Sequence, residues 1–548
     1  MRIGIIGAGV AGLATAKVLM QAGHDVLVFD KAPDVGGVWS RTRRYPGLTT
    51  QSPKAQYSLS DFPMPKDLPQ WPTGAQVQAY LEAYAAEFGI DRRLRLEAEV
   101  TAASPTPDGR WTLTVRDAAG AETAESAETF DRLVVANGVF CEPAIPRFPG
   151  LAEFTAAGGR LCAGTEFHDA EQARDRHVLV VGYGKSACDV TVPISQVAAS
   201  TDVIARQLLW KVPRKIGGVL NFKMLLLTRM GEALFRYLRL SGFEKFLHGP
   251  GNGLRRKMIN SIGSVSVRQF MLVKLGLVPP GHMEDIVRGA IGLETEGFYD
   301  GVAGRSISVH RDRTVTRLFA ELGRPFAELS DGTTLPADLV VCATGFTQGV
   351  PFLDDDVQAR LLDERGNFML YRQILPVEVP GLYFNGYNSS FFSPLNAEMA
   401  AVWITADLAG AVPRPDAATM RQAVVDQLAF MDDATNKHHC RGTKIIPFSM
   451  HNVDEVLGDL DLNIKVRVRA SHWLNPIDPA AYRGVTPALL RRLALGLDEP
   501  RPGSAVEVPA LRMVPAIGDP TDAVTDAATN GATNAASTPT EPECTVAG

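Results

Sequence analysis

Two glycine-rich turns in matching surroundings predict an α/β chain with two Rossmann-like dinucleotide-binding domains. The first, GAGVAG over 7–12, follows the β-rich run RIGII and opens the helix-like VAGLATAKVLMQAG. The second, GYGKSA over 182–187, follows HVLVV and leads through a helical pattern to the strand-like DVIAR. Between them, residues 93–136 alternate apolar and polar positions, with turn signals at PDG and DAAG, and predict a small antiparallel meander.

In the first fingerprint Gly7 allows the tight turn, Gly9 lets a pyrophosphate approach the backbone, and Gly12 lets helix and strand pack closely. Asp30, ending the next strand with Lys31 behind it, stands where an acid would hold a ribose. A lone GxGxxG is weak evidence, since a tight turn with no ligand is its plainer reading; strand, helix and terminal acid in register make this one strong. The second fingerprint supplies Gly182, Gly184, Lys185 and Ser186, with Ala187 at the third glycine position, which still permits close packing. Its second strand ends on Arg206 in place of an acid, with Lys211, Arg214 and Lys215 following. A guanidinium there favours a 2′-phosphate, hence NADPH over NADH; a solvated strand-end arginine is the competing reading. With two such sites in one chain, the expected arrangement is FAD on the first and NADPH on the second, with hydride passing between them.

At 548 residues, 45% hydrophobic and 21% charged, the chain has the balance and length of a globular protein with more than one domain. A formal net charge of −6 gives no overall reason to expect nucleic acid as a partner. Cys141, Cys162, Cys188, Cys342, Cys440 and Cys544 form no C-x-x-C, so neither a zinc site nor the redox-active pair of a flavin disulfide reductase is expected. A strand beginning at residue 2 leaves no space for a signal peptide, and no apolar run reaches about 18 residues. A cytoplasmic protein without a metal is expected.

Taken in order, GAGVAG, the Gly36-Gly37-Val38-Trp39 turn, YPGLTTQSPK with SDFPMP, GYGKSA with Asp189, and Ala343-Thr344-Gly345-Phe346 resemble class B flavin-containing monooxygenases from residue 1 to about 410. That resemblance implies that NADPH reduces FAD, that oxygen adds at flavin C4a, and that NADP+ stays to protect the peroxide until a soft nitrogen or sulfur of a small organic substrate takes one oxygen atom. A dry pocket is the physical requirement. In the family an asparagine of the loop crossing the flavin ring bonds near the peroxide and NADP+; the matching position is Gln51, whose amide keeps donor and acceptor but sits one methylene further out. Ser52 lies beside it, and Lys54 is implied near NADP phosphate or ribose, with a surface lysine as the alternative. Gly37, Val38 and Trp39 are implied at the FAD ribose and pyrophosphate, and Val100 at the adenine. Ala400 and Val402 depart from the family pattern on a late helix, which weakens transfer of its flavin-edge contacts.

Ketone or aldehyde oxygenation is the main alternative. Baeyer–Villiger relatives carry F-x-G-x-x-x-H-x-x-x-W, and here Gly164 and His168 match while Cys162 and Gln172 replace the end anchors. An uncoupled NADPH oxidase also remains open. The expected division is 1–155 for the first part of the FAD-binding domain, 156–345 for the NADPH-binding domain with a basic helical insert at about 211–300, 346–410 for a return to the FAD domain, 411–500 for a C-terminal helical region, and 501–548 for a disordered tail. From 211 to 280 thirteen Lys/Arg stand against two Glu, a formal +11, and FKMLLLTRMGEALFRYLRLSGFEKFL has mixed 3–4 spacing that suggests an amphipathic helix. A cap whose apolar face forms a substrate entrance, a peripheral membrane contact and a partner-protein dock all suit this segment. A homodimer is compatible with the sequence. His438, His439 and His451 are expected to be polar packing or lid residues.

Overall fold

The computed structural model describes residues 1–117, 125–288, 292–439, 441–443 and 448–494. The expected tail therefore lies outside the described residues, as do Cys440 and Cys544.

Two five-stranded parallel sheets carry the architecture. In the first, Arg2–Ile6 lies at the centre with Asp25–Phe29 on one side and Arg132–Val135 on the other; Leu94–Arg95 and Leu382–Phe384 form the edges. In the second, the central His177–Val181 is flanked by Ser200–Ala205 and Leu339–Cys342, with Ser308–Arg311 and Arg160–Ala163 outside. The central strands read as near-continuous apolar runs because both faces of a parallel sheet are covered, and Ile3, Ile5, Val178, Leu179 and Val180 have no exposed surface. The meander forms as three antiparallel strands, Ala98–Pro105, Trp111–Asp117 and Glu125–Phe130, with a bulge just after Val100.

Each central strand feeds a helix through its glycine turn, Val10–Gln21 in the first unit and Lys185–Ile194 in the second. Gly7 has φ +112°, and a Cβ there would lie 2.4 Å from the Ala136 carbonyl oxygen; one on Gly12 would lie 1.8 Å from that of Gly7. These two glycines are fixed by packing within the protein. Gly9 differs, because a Cβ there would meet only Gly37, at 3.6 Å.

The segment 222–247 differs from the single amphipathic helix expected. It folds as three short helices, Lys223–Leu226, Arg229–Ala233 and Gly242–Leu247, followed by the long helix Asn252–Gln269. Thr228 breaks the first run by accepting the Gly231 N–H at its Oγ1, and a side chain at Gly231 would strike the Leu225 carbonyl. Apolar spacing set the period there, and local capping overrode it.

Candidate active site

Neither glycine-turn helix has a side-chain cap at its start. Their leading N–H groups are left for an anion, which suits a pyrophosphate at each helix N-terminus. Around the first turn, Asp30 Oδ2 accepts from Ala8 N at 2.7 Å and Oδ1 from Ala32 N at 2.8 Å. Asp30 thus braces the turn and keeps a lone pair on each oxygen for a ribose hydroxyl. Burial raises its pKa against those two N–H donors. Lys31 is exposed and pairs with Glu142 at 3.2 Å. Gly36 and Gly37 both have positive φ, the Gly36 N–H donates to the Ala8 carbonyl, and Trp39 Nε1 donates to Tyr57 at 3.0 Å. The Gly37–Trp39 turn is thereby held against Gly9, where a Cβ would make only ordinary contact with Gly37. These residues fit a flavin dinucleotide.

At the second turn Ser186 Oγ receives a 2.7 Å hydrogen bond from Tyr45, and Gly47 packs so closely on Asp189 that a Cβ would lie 2.3 Å from its carbonyl oxygen. The loop after the first nucleotide unit therefore lies directly on the helix of the second. Arg206 is exposed at the end of its strand with no side-chain partner among the described residues. Of the cations that follow, Lys211 is buried and donates to the Tyr183 carbonyl, and Arg214 donates to Thr49 Oγ1 at 2.8 Å while lying over the Trp71 ring. Lys54 and Lys185 both have their ammonium groups engaged by protein oxygens. Lys54 Nζ donates to the carbonyls of Pro65, Lys66 and Leu68, closing its own loop. Lys185 is buried in an ion pair with Asp189 and bonds Thr295; burial lowers its pKa and Asp189 opposes the shift.

Gln51 and Ser52 meet the wall of a partly enclosed cavity built mainly from the insert. Gln51 Oε1 accepts from Leu293 N at 3.2 Å, and Ser52 Oγ donates to the Phe391 carbonyl at 2.5 Å; Leu293 and Phe391 both line the cavity. Because a backbone N–H can only donate, it fixes the amide orientation and leaves the Gln51 NH2 without a protein acceptor among the described residues. Most of the lining is apolar, including Val212, Phe222, Leu226, Ile259, Ile262 and Met283. Such a site excludes water and strengthens any hydrogen bond made at its edge.

The loop carrying Gln51 is anchored from below. Ser60 donates from N and Oγ to Glu398, Lys17 pairs with Asp61 and reaches Glu398 at 3.5 Å, and Lys17 and Glu398 are each 1% exposed. Burial raises the Glu398 pKa against the attraction of Lys17. Two features escaped the sequence reading: this anchor, and the pairing of Glu232 and Glu244 with His451 beside the cavity. The second had a readable signal, for these are the two acids among thirteen cations. His168 is exposed and its Nδ1 lies 3.2 Å from the Arg44 carbonyl oxygen.

Two nucleotide-binding units joined by a loop beside a dry cavity define a flavin-dependent oxidoreductase. Residues 1–247 match the family model described as flavin-binding monooxygenase-like. The chain is a monooxygenase related to the flavin-containing monooxygenases, as its motifs implied. It is 25% identical over 479 residues to flavin-containing monooxygenase 3 of Rattus norvegicus, covering 84% of this chain and 77% of that protein. Against flavin-containing monooxygenase 1 of Canis lupus familiaris the figures are 27% over 393 residues, 69% and 68%. Among solved structures, S-allyl-L-cysteine S-oxygenase from Allium sativum superposes with TM-score 0.57 at 18% identity, over 90% of this chain and 98% of that one. Cyclohexanone monooxygenase from Rhodococcus sp. Phi1 bound to NADP+ gives 0.61 at 17%, over 84% and 97%. These two likenesses concern the fold. FAD and NADPH, expected from the two fingerprints, are the cofactors of the family.

Proposed function

We propose that the protein uses NADPH and O2 to place one oxygen atom on a soft nitrogen or sulfur of a small organic molecule held in the apolar cavity. When bound, the flavin passes two electrons from NADPH to O2, so that one oxygen atom reaches the substrate and the other leaves as water. Gly7, Gly9 and Gly12, with Asp30 and the Gly37–Trp39 turn, hold the FAD, and Val100 borders its adenine. Gly182, Gly184, Ser186 and Ala187 hold the NADPH pyrophosphate, and Arg206 its 2′-phosphate. The Gln51 amide, fixed through its oxygen, directs its NH2 donor to the reacting oxygen, and Ser52 holds the adjoining wall. The observation that carries this reading is the anchored amide with a free donor at the edge of a dry cavity. The test is a product screen by mass spectrometry with amines, thioethers and ketones under 18O2. Labelled N-oxides or sulfoxides are expected; labelled esters or lactones alone would move the activity to carbonyl oxygenation, and unlabelled substrate with hydrogen peroxide would indicate an oxidase.

No helix among the described residues is long and apolar enough to cross a membrane. We infer instead that the insert rests on an anionic bilayer surface. Gln269, at the end of the long helix, bonds Gly217 N and the Lys215 carbonyl. It thereby draws the hairpin carrying Val219 (87% exposed) towards Met271 and Val273 (74% exposed), with Lys215 and Lys274 alongside. Such a basic rim around apolar side chains suits anionic lipid. Flotation with phosphatidylserine liposomes at low salt should carry the wild-type protein and lose the Val219→Asp, Val273→Asp double variant. A wild-type protein left at the bottom of the gradient would remove this reading.

A further inference from the structure

Glu232 is the one charged side chain among the described residues lining the apolar cavity. It is 5% exposed and lies on the short helix Arg229–Ala233. Its Oε1 is fully engaged: it accepts from Met450 N at 2.8 Å and His451 N at 3.4 Å, capping the start of the helix Ser449–Asp459, and lies 3.3 Å from His451 Nδ1. Its Oε2 has no donor among the described residues. A carboxylate oxygen with no protein donor, on a residue lining an apolar space, is an acceptor a ligand cation can use.

No cation is paired with Glu232 Oε2 among the described residues. His451 lies between Glu232 and Glu244, with Nε2 2.6 Å from Glu244 Oε1, and it stacks on Tyr237. The two carboxylates share this one imidazolium, and Arg229 and Arg469 share Asp454 next to them. Burial opposes protonation of His451, yet the two carboxylates outweigh it and push its pKa up to about 10, so the imidazolium is charged at neutral pH. Nearby cations are committed elsewhere. Both terminal nitrogens of Arg229 bond Asp454, and Arg255 bonds Glu284, the Leu234 carbonyl and Asn252.

We propose that Glu232 Oε2 is the subsite for a cationic head, so that the substrate is an amphiphile whose ammonium group is separate from the nitrogen or sulfur that receives oxygen. The two groups must differ because a protonated nitrogen has no lone pair with which to take an oxygen atom. Gln51 and Ser52 hold the wall formed by Leu293 and Phe391, while Glu232 belongs to the wall backed by the helix Ser449–Asp459. The rest of the lining is mostly apolar, which suits an aliphatic or aromatic spacer. This proposal rests on the cavity being the substrate site.

The test is calorimetric, on full-length flavin-loaded protein without NADPH, using hexylammonium and hexan-1-ol as probes. Wild type should bind hexylammonium roughly tenfold or more tightly than the alcohol, as a charge-assisted hydrogen bond requires. Glu232→Gln keeps the acceptor for the Met450 N–H but removes the charge, and should bring the two affinities together. Ile259→Trp, which fills the cavity, should weaken both. Equal affinities in wild type would overturn the proposal whether or not Glu232→Gln folds, as would undiminished hexylammonium binding in Ile259→Trp. Absence of oxygenated product with every substrate would refute the oxygenase reading and leave the binding ratio as measured.

Discussion

Gln51 accepts a hydrogen bond from the backbone N–H of Leu293 at 3.2 Å, so the loop that follows the first nucleotide unit and the wall of the apolar cavity are tied at one amide. Truncation to Gln51→Ala should leave the fold intact and divert most electrons from NADPH into hydrogen peroxide. Gln51→Asn keeps the amide but is shorter by one methylene, too short to hold Leu293 and present the NH2 together, and should uncouple to a smaller degree. The ratio of peroxide formed to NADPH consumed measures both. Identical coupling in all three proteins would place the working donor elsewhere.

Arg206 stands just past the end of its strand, exposed and with no protein partner among the described residues, and in the proposed function it meets the 2′-phosphate. Losing one charge-assisted contact should raise KM for NADPH in Arg206→Ala by roughly 10- to 100-fold and leave KM for NADH nearly unchanged. Steady-state kinetics with both nucleotides test this. A parallel rise for both would assign the arginine a structural role.

Lys17 and Glu398 are buried together, with Asp61 and Ser60 completing the group. Lys17→Met removes the cation and leaves a buried carboxylate uncompensated, a loss of about 3–5 kcal/mol in urea unfolding. Lys17→Met combined with Glu398→Gln should recover part of that loss, because the charge left behind is removed too.

The proton on His451 makes stability depend on pH in the alkaline range. An unfolded histidine titrates near 6.5, whereas in the folded protein Glu232 and Glu244 overcome burial and move the pKa up to about 10. Since the folded value is the higher one, this contribution is complete below about pH 6.5 and declines as pH rises through 10. Thermal melts of wild type should lose stability between those limits, and His451→Gln should show a flatter profile there.

Much of the nucleotide-binding frame was legible because it is written in local chemistry. Gly7 and Gly12 are required by contacts with Ala136 and with Gly7 itself, and no other residue fits those spaces. Arg206 could be placed by counting to a strand end. What escaped depends on distant pairs: Lys17 with Glu398, Tyr45 with Ser186, and Glu232 with His451 are brought together by the fold across 381, 141 and 219 positions. No periodicity encodes such meetings. Lys185 is a local case, its ammonium paired with Asp189 one helical turn away. The insert misled differently, because its apolar spacing fits one helix while Thr228 and Gly231 divide it.

The edge strand Leu382–Phe384 and the buried Glu398 both belong to the unit that begins at Arg2. During synthesis on the ribosome, the first sheet therefore waits, lacking an edge strand and with Lys17 and Asp61 still without Glu398, until nearly four hundred residues have emerged. The second sheet lies wholly within that interval and can close earlier. Fragments ending before Leu382 should accordingly need chaperones to stay dispersed, and the order of assembly runs opposite to the order of the sequence.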